Sequence, residues 1–338
     1  LYTDKNISKD QAVITQRYMS VMRGFLQYQW LIPFLFGASP VCFAGSVPKN
    51  HMPVFLQKDN KDKNIFVSHN ATSLRLSDIG YQNKSQSQIQ VCTNTARNYA
   101  SSLLDATSLP YPEFAMIPIK NAKGNYNQLN ANLLQIENEF YSTIRPKPKI
   151  RGDFRPSVLL YDYGVDYLEI RCLDLNPFDP LGLSKETSAF IDLFLMHLLL
   201  HNNPEIGLQS QTKNNYNFKS AVESSRSNYS RVCIESSSRK LNLVARDILE
   251  SMMPLAIIMD NSETNSQNIY TKTLQQQIDK TKDLSLLPSN QVINSWKQSG
   301  LKFDKWIVKL ALEHQDIFND MFEKNKLTQD QLKFYDDL

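Results

Sequence analysis

The alternation of apolar and polar positions predicts a β-strand near the middle of the chain, over residues 166–177. Leu168, Ile170 and Cys172 alternate with Glu169 and Arg171, so the two sets point to opposite faces of the strand. A carboxylate and a guanidinium therefore stand two residues apart on an otherwise apolar strand. Charges in such a place are costly unless they are paired or meet a ligand or a metal ion. This strand is the first candidate for a functional site.

Apolar positions with helical spacing predict several helices around this strand. The first covers residues 8–29, and a second covers about 92–104. Ser184 is a residue type that caps helices, and it precedes an apolar pattern over 185–201. Residues 202–240 are rich in Ser and Asn and poorly periodic, so we expect mostly loop with some helix. The C-terminal part has helical patterns over 241–259, 267–282, 291–298 and 303–324.

Further strands are predicted from shorter patterns. Leu74 and Leu76 alternate with polar residues, which predicts a short strand, and residues 114–119 and 133–137 suggest a pair of strands. Strands separated by helices and followed by a helical tail indicate an α+β fold rather than a doubly wound parallel sheet. The sequence contains neither of the common glycine-rich phosphate loops.

Composition narrows the functional classes. The chain has 338 residues, and its net charge of +3 is too close to neutral for a dedicated nucleic-acid binder. Two apolar runs, residues 30–45 and 190–200, are shorter than the ~20 residues that a membrane span needs. We expect both runs to be buried core, and we expect neither nucleic acid nor a membrane as a partner.

The cysteines favour a reducing compartment. Cys42, Cys92, Cys172 and Cys233 are far apart and form no CxxC pair, so we expect no disulfide framework. Leu1 is followed by a polar run that does not resemble a signal peptide. These features predict a cytoplasmic protein.

The charged residues of the predicted strands allow two interpretations each. Glu169 and Arg171 could form an ion pair at a sheet edge, or Glu169 could hold Mg²⁺ while Arg171 holds a phosphoryl oxygen. Arg75 could be a surface residue, or it could bind a substrate carboxylate through both arms of its guanidinium group. The basic segment 145–151 is extended because its two prolines exclude helix. It could bind phosphates, but a solvated loop explains it better.

Two other groups are weaker candidates. Gln135, Glu137 and Glu139 alternate with apolar residues, which could place several oxygen atoms on one sheet face or simply on a solvated face. His197 and His201 are four residues apart on a helix and could ligate zinc, but the residues between them do not follow the zinc-protease motif. Their place near the helix C-terminus, where the dipole favours such residues, explains them better.

Five stretches, in this order, resemble the glutamate–cysteine ligases of the proteobacterial type. They are FGASP at 36–40, ATSLRLSDIGYQNKSQ at 71–86, LQIENEFY at 134–141, IRPK at 144–147 and YLEIRCLDLNPF at 167–178. The resemblance is dense from about residue 18 to 203. After about residue 241 it rests mainly on helical character.

The resemblance implies an activity and a set of site residues. Members of the family make γ-glutamylcysteine from glutamate, cysteine and ATP through a γ-glutamyl phosphate, the first step of glutathione synthesis. Their fold is similar to the glutamine synthetase catalytic domain, an antiparallel sheet surrounded by helices. By the motif match, Arg75 would hold the glutamate α-carboxylate and Glu169 would ligate Mg²⁺ or Mn²⁺. Arg171 would be the catalytic residue that holds the phosphoryl group, and Tyr81 and Tyr141 would line the cysteine pocket.

The chain departs from the family in one respect. Members carry a segment before the point that matches Leu1, and it supplies further metal-binding glutamates and a histidine. We therefore expect residues 1–203 to be a catalytic core without its N-terminal part and 204–338 to be a mostly helical region of the same domain. The missing segment would then be a partner, and the chain could be inactive without it. Another ligase of this fold, joining glutamate to a different amine, and a silent fragment that only binds a partner remain as alternatives.

Overall fold

The computed structural model of the protein describes residues 8–47, 52–80, 89–235, 237–262 and 267–324, with the side chains of 322–324 left out. Helices predominate, and the strands form small antiparallel sheets, so the predicted α+β class is confirmed. The helices described are α1 (Lys9–Tyr28), α2 (Leu31–Phe36), α3 (Ala96–Ala106), α4 (Pro112–Ala115), α5 (Pro156–Tyr163), α6 (Lys185–Leu200), α7 (Leu208–Ser224), α8 (Leu241–Ser251), α9 (Met253–Ser262), α10 (Ile269–Lys282), α11 (Pro288–Ser299) and α12 (Phe303–Lys324).

The strands pair in three sheets. One sheet has the order β1 (Val41–Phe43), β3 (Ile65–Ser68), β2 (Leu56–Lys58). The second pairs β4 (Ile144–Lys147) with β5 (Tyr167–Ile170), and the third pairs β6 (Arg231–Ile234) with β7 (Ser237–Lys240). Every pairing is antiparallel.

The main core forms where α1, α2 and α6 meet. Ser8 caps α1 by accepting the Gln11 N–H at 3.2 Å, and Ser184 caps α6 as predicted. The rings of Phe25 and Phe194 lie 5.9 Å apart across α1 and α6. Most of residues 30–36 and the inward side of residues 190–198 are buried here, so the prediction of buried core is confirmed for these parts, whereas Phe43 and Leu200 are exposed. Within the described ranges no helix is long and apolar enough to span a membrane. Residues on both sides of position 203 share this core.

Near its C-terminus, α6 carries two histidines in contact. The rings of His197 and His201 lie 4.1 Å apart, and His201 Nδ1 is 2.7 Å from the carbonyl oxygen of His197. Burial, and then the neighbouring His201, lower the pKa of His197 to about 4. The described residues contain no third metal ligand beside them, so the structure does not support the zinc alternative.

The lowered pKa of His197 predicts acid sensitivity of the fold. In the unfolded chain, His197 takes up a proton near pH 6.5, whereas in the folded chain its pKa is about 4. Stability is therefore fully present above pH 6.5 and falls as the pH drops toward 4, by about 2 kcal/mol after allowance for partial exposure. Urea unfolding of the chain at several pH values measures this loss. His197→Phe should flatten the dependence, whereas substitution of the exposed His69 should leave it, and an unchanged dependence in His197→Phe would refute the assignment.

The predicted strand at Leu74–Leu76 is wrong, because this segment is a single 3₁₀ turn. Ser73 Oγ accepts the Leu76 N–H at 3.3 Å, and Ser77 Oγ–H donates to the Leu74 carbonyl at 2.8 Å. Serine side chains satisfy the backbone locally, so no partner strand is needed. Leu74 and Leu76 are both buried. A strand would also bury two alternate residues, so the sequence pattern does not distinguish a strand from this turn.

The predicted strand pair at 114–119 and 133–137 is also wrong. The first segment begins within the short helix α4, and a 3₁₀ turn forms at Glu137–Glu139. Gln128 Nε2 donates to the carbonyl oxygens of Phe114 and Ile117 at 2.9 and 2.7 Å. These side-chain bonds satisfy carbonyl oxygens that a strand pair would bind through its backbone.

The expectation of mostly loop over 202–240 is wrong as well. Helix α7 and the β6–β7 hairpin occupy most of this region. Asn217 joins the two, because its Nδ2 donates to the Cys233 carbonyl at 2.9 Å and its Oδ1 accepts the Cys233 N–H at 2.6 Å. The polar residue Asn217 is thus buried on the packed face of α7, where a helix with a regular apolar pattern has a hydrophobic residue.

Candidate functional site

The strand pair β4–β5 gathers charged side chains on one face. Arg145 lies directly opposite Glu169, and the Arg171 N–H continues the pairing by donating to the Thr143 carbonyl at 2.8 Å. Ile144 and the apolar positions of β5 pack against the core. The charged residues therefore share the other face, which we call the charged face: Arg145, Lys147, Glu169 and Arg171. The predicted alternation is confirmed, although the strand ends at Ile170.

Cations outnumber the carboxylate on the charged face. Glu169 lies 3.2 Å from Lys147 Nζ and 3.8 Å from Arg171 Nε. The Tyr141 ring lies 5.5 Å from Arg171 Cζ, and its hydroxyl donates to the Arg171 carbonyl at 3.4 Å. The Glu169–Arg171 contact at 3.8 Å agrees in part with the ion pair that the sequence allowed. The charged face nevertheless carries three cations and only one carboxylate. Such a face suits an anionic ligand.

Arg145 belongs to the basic segment 145–151, for which the sequence favoured a solvated loop over a phosphate site. Its Nη2 donates to the Asn138 carbonyl at 3.2 Å, but only 7% of the residue is exposed. Its Nε and the Nη1 of Arg171 are buried and have no hydrogen-bond partner in the described ranges. Burial, and then the like charge of Arg171, lower the pKa of Arg145. The assignment of Arg145 to a solvated loop is therefore wrong.

Arg75 reaches the same region from its 3₁₀ turn. Its Nε donates to Asp174 Oδ1 at 2.8 Å, and its Nη2 donates to the Leu173 carbonyl at 2.7 Å. A longer bond of 3.3 Å runs from Nη1 to the Arg171 carbonyl. Burial alone would lower the pKa of Arg75, but the hydrogen bond and charge of Asp174 outweigh it and raise the pKa. Arg75 is therefore a fixed, permanently charged group beside the charged face.

Asp174 is the centre that holds these segments together. Besides Arg75, its Oδ2 accepts the Ala38 N–H at 2.9 Å and the Ser39 Oγ–H at 2.8 Å. A Cβ at Gly80 would overlap the Arg75 carbonyl oxygen, so the turn that carries Arg75 closes only with glycine. The carboxylate thus joins the turn after α2, the Arg75 turn and the segment after β5.

The structure brings together four of the five predicted site residues. Arg75, Tyr141, Glu169 and Arg171 lie side by side, whereas Tyr81 lies outside the described residues. The oxygen atoms of the 135–139 segment are used locally and do not form a second acidic face. Glu139 Oε2 accepts the Gln135 N–H at 2.7 Å, and Glu137 binds Ser157 and Arg155.

The donor set does not fit a complete metal centre. The described residues contain no group of three or more His, Cys, Asp or Glu side chains that could hold an ion. Glu169 is a single carboxylate between two cations. A set of Mg²⁺ ions needs more oxygen ligands than this residue offers.

Fold and site define an α+β protein with two neighbouring arginines on an antiparallel strand pair. The chain belongs to the glutamate–cysteine ligase family, whose sequence profile, described as Glutamate-cysteine ligase, matches residues 1–221. The chain is 35% identical to the glutamate–cysteine ligase of Alcanivorax borkumensis over 312 residues and 33% identical to that of Pseudomonas fluorescens over 313. These matches cover 91% and 92% of the chain but only 58% and 57% of the relatives.

One solved structure agrees with this assignment, and a second shares the fold. The crystal structure of the Francisella tularensis glutamate–cysteine ligase, in complex with AMP, superposes with a TM-score of 0.82 at 29% identity, over 90% of this chain and 59% of that one. A bifunctional glutathione synthetase from Pasteurella multocida superposes with a TM-score of 0.55 at 18% identity, covering 90% of this chain and 32% of that one, which is a likeness of fold. The chain thus spans a little over half the length of the ligases that it matches.

Proposed function

We propose that the chain forms the phosphoryl-transfer part of a cytoplasmic, ATP-dependent enzyme that joins the γ-carboxylate of L-glutamate to the amine of L-cysteine, the first step of glutathione biosynthesis. The observation that carries the proposal is a pair of neighbouring guanidinium groups, the buried Arg145 and the half-buried Arg171, each with a buried nitrogen atom that has no hydrogen-bond partner in the described ranges. Buried N–H donors of two like charges call for an anion. A transferred phosphoryl group supplies that charge.

Each residue has a proposed role that follows from its geometry. Arg171 is the catalytic residue that holds the phosphoryl oxygens, and Arg145 adds a second charge from the neighbouring strand. Arg75 donates to Asp174, Leu173 and the Arg171 carbonyl. We propose that its fixed guanidinium group holds the glutamate α-carboxylate.

The proposed chemistry needs no nucleophilic side chain. ATP phosphorylates the γ-carboxylate, which turns a poor acyl group into an acyl phosphate. The cysteine amine then attacks the carbonyl carbon, and phosphate leaves with the bonding electrons. The arginines stabilise charge on the phosphoryl oxygens in both steps. Tyr141, which stacks against Arg171, and Tyr81 are proposed to line the cysteine pocket.

This chain is proposed to supply only part of a metal site. Glu169 is our proposed ligand for Mg²⁺ or Mn²⁺, as one carboxylate of a larger set. The remaining ligands would come from a region that the longer relatives carry outside the match. That region would be a partner of the chain, and the division at residue 203 into a core and a helical region stays a prediction.

The assay that tests this function measures ADP release by the 338-residue chain. It is run with the chain alone and with the unmatched part of the Alcanivorax borkumensis relative added as a separate polypeptide. We expect release that requires glutamate, cysteine and a divalent cation together, at least in the mixture. Better turnover with 2-aminobutyrate or another amine than with cysteine would identify a different carboxylate–amine ligase. No release in either arm would leave a silent binding fragment.

Arg145 allows a test of the anion site itself. Arg145→Gln should lower turnover by about tenfold, because one phosphoryl contact is lost. The same change should leave the melting temperature equal or higher, since it removes a buried cation that is destabilised by burial and by the like charge of Arg171. Kinetics and thermal melts of the same sample check both. A loss of activity that is matched by a loss of stability would mean that Arg145 is only structural.

A further inference from the structure

A separate cavity of about 300 Å³ opens between α1, α3, α7 and the segment 89–93. Its described lining contains no Asp, Glu, Lys, Arg or His, in contrast to the charged face. Among its lining residues are carboxamides and one thiol: Gln29, Gln90, Gln211, Asn214, Asn215 and Cys92. Apolar walls with a few amides are typical of a site for an uncharged polar ligand.

Asn214 contributes a buried hydrogen-bond acceptor to this lining. The residue is 4% exposed, and its Oδ1 has no hydrogen-bond partner within the described part of the chain. A buried acceptor without a donor costs free energy, and native structures rarely leave one. An N–H group of a molecule in the cavity would satisfy it.

Cys92 contributes a thiol to the lining of the same cavity. Its thiol is free and half-buried, and Asn98 Nδ2 lies 3.8 Å from its sulfur. Asn98 belongs to the first turn of α3, which Thr95 caps. Burial raises the pKa of Cys42 to about 11 and that of Cys172 to about 12, so those two thiols are unreactive.

We propose that this cavity is a thiol-modification site, in which Cys92 forms a mixed disulfide with a small, uncharged, amide-bearing thiol. The oxidant is the symmetric disulfide of that thiol. The Cys92 thiolate attacks one sulfur, the S–S bond of the reagent breaks, and the other half leaves as a thiolate that takes up a proton. The amide N–H of the half that stays donates to Asn214 Oδ1. This site is independent of the proposed ligase chemistry.

The test uses the 338-residue chain and two matched reagents. The disulfide of N-acetylcysteamine carries an acetamide where cystamine carries an ammonium group. Peptide mass spectrometry follows the modification of Cys92 and, as an internal control, of the half-buried Cys233, which does not line the cavity. The ratio of the two rates cancels the intrinsic reactivity of each reagent.

We expect the Cys92 rate to saturate with the amide reagent and the Cys92-to-Cys233 ratio to exceed that for cystamine by about tenfold, since a charge is costly in an uncharged cavity. Asn214→Leu should abolish most of the difference, and circular dichroism checks that this variant folds. If the variant does not fold, the two reagents on the unaltered chain still decide the question. A linear rate at Cys92 with equal ratios for both reagents would overturn the proposal.

Discussion

Arg171→Lys should lower turnover of the assayed ligase by about a hundredfold while changing the KM for glutamate by less than about threefold. Lysine keeps the charge but cannot present the planar fork that binds two phosphoryl oxygens at once. In the folded chain, Arg171 Nη1 is buried and has no hydrogen-bond partner in the described ranges. Arg171 therefore contributes to turnover by binding the phosphoryl group during the reaction. Steady-state kinetics with ATP and glutamate varied in turn measures both constants.

The matched control for this change is Lys147→Arg on the same face. Lys147 contacts Glu169 from the far end of β4, away from Arg171, and the substitution keeps its charge. Turnover of this variant should stay within about threefold of the unaltered protein, because position 147 keeps its positive charge. Equal and small effects of Arg171→Lys on turnover and on the glutamate KM would count against the phosphoryl role.

Asp174→Ala should destabilise the fold by about 3 kcal/mol. The carboxylate is 6% exposed and accepts hydrogen bonds from Arg75, Ala38 and Ser39. Its removal leaves three donors without their acceptor, one of them a cation whose side chain is only 27% exposed. Urea unfolding of the 338-residue chain at pH 7 measures the change.

The surface pair Arg239–Asp247 supplies the control for Asp174. Its atoms are as close, at 2.7 Å, but both side chains are about half exposed. Asp247→Ala should cost less than about 1 kcal/mol, as is usual for exposed pairs. Similar costs for the two variants would show that Asp174 does not hold the site together.

Local patterns were sufficient to predict the parts of the fold in which a residue's role depends on its neighbours in sequence. Ser184 predicts the start of α6 because a cap needs only the next turn, and the helical spacing over 8–29 predicts α1. The alternation around Glu169 and Arg171 places both on one face because strand geometry has a fixed period of two.

Arg145 shows where local patterns fail at the site. Its two neighbouring prolines argue correctly against helix, but they also suggest a solvated loop. The segment is instead a strand whose Pro146 lies opposite Leu168 in β5. Burial of the arginine follows from that pairing, which no local pattern shows.

The Arg75–Asp174 pair is a long-range contact of the same kind. The two residues are 99 positions apart. They meet because a serine-bonded turn replaces the predicted strand. Hydrophobic periodicity carries no information about such a turn, nor about a helix such as α7, which buries Asn214 and Asn217.

Isotope exchange within ATP tests the central claim most directly, because it reports phosphoryl transfer to glutamate before any amine attacks. ATP labelled with ¹⁸O at the β–γ bridge is incubated with glutamate and a divalent cation, without cysteine, in the mixture that supports ADP release. Reversible formation of γ-glutamyl phosphate and ADP moves the label to the non-bridging β positions. We predict exchange that requires glutamate and is about a hundredfold slower in Arg171→Lys. Glutamate-independent exchange, or an unchanged rate of exchange in Arg171→Lys, would contradict the assignment of the charged face to phosphoryl transfer.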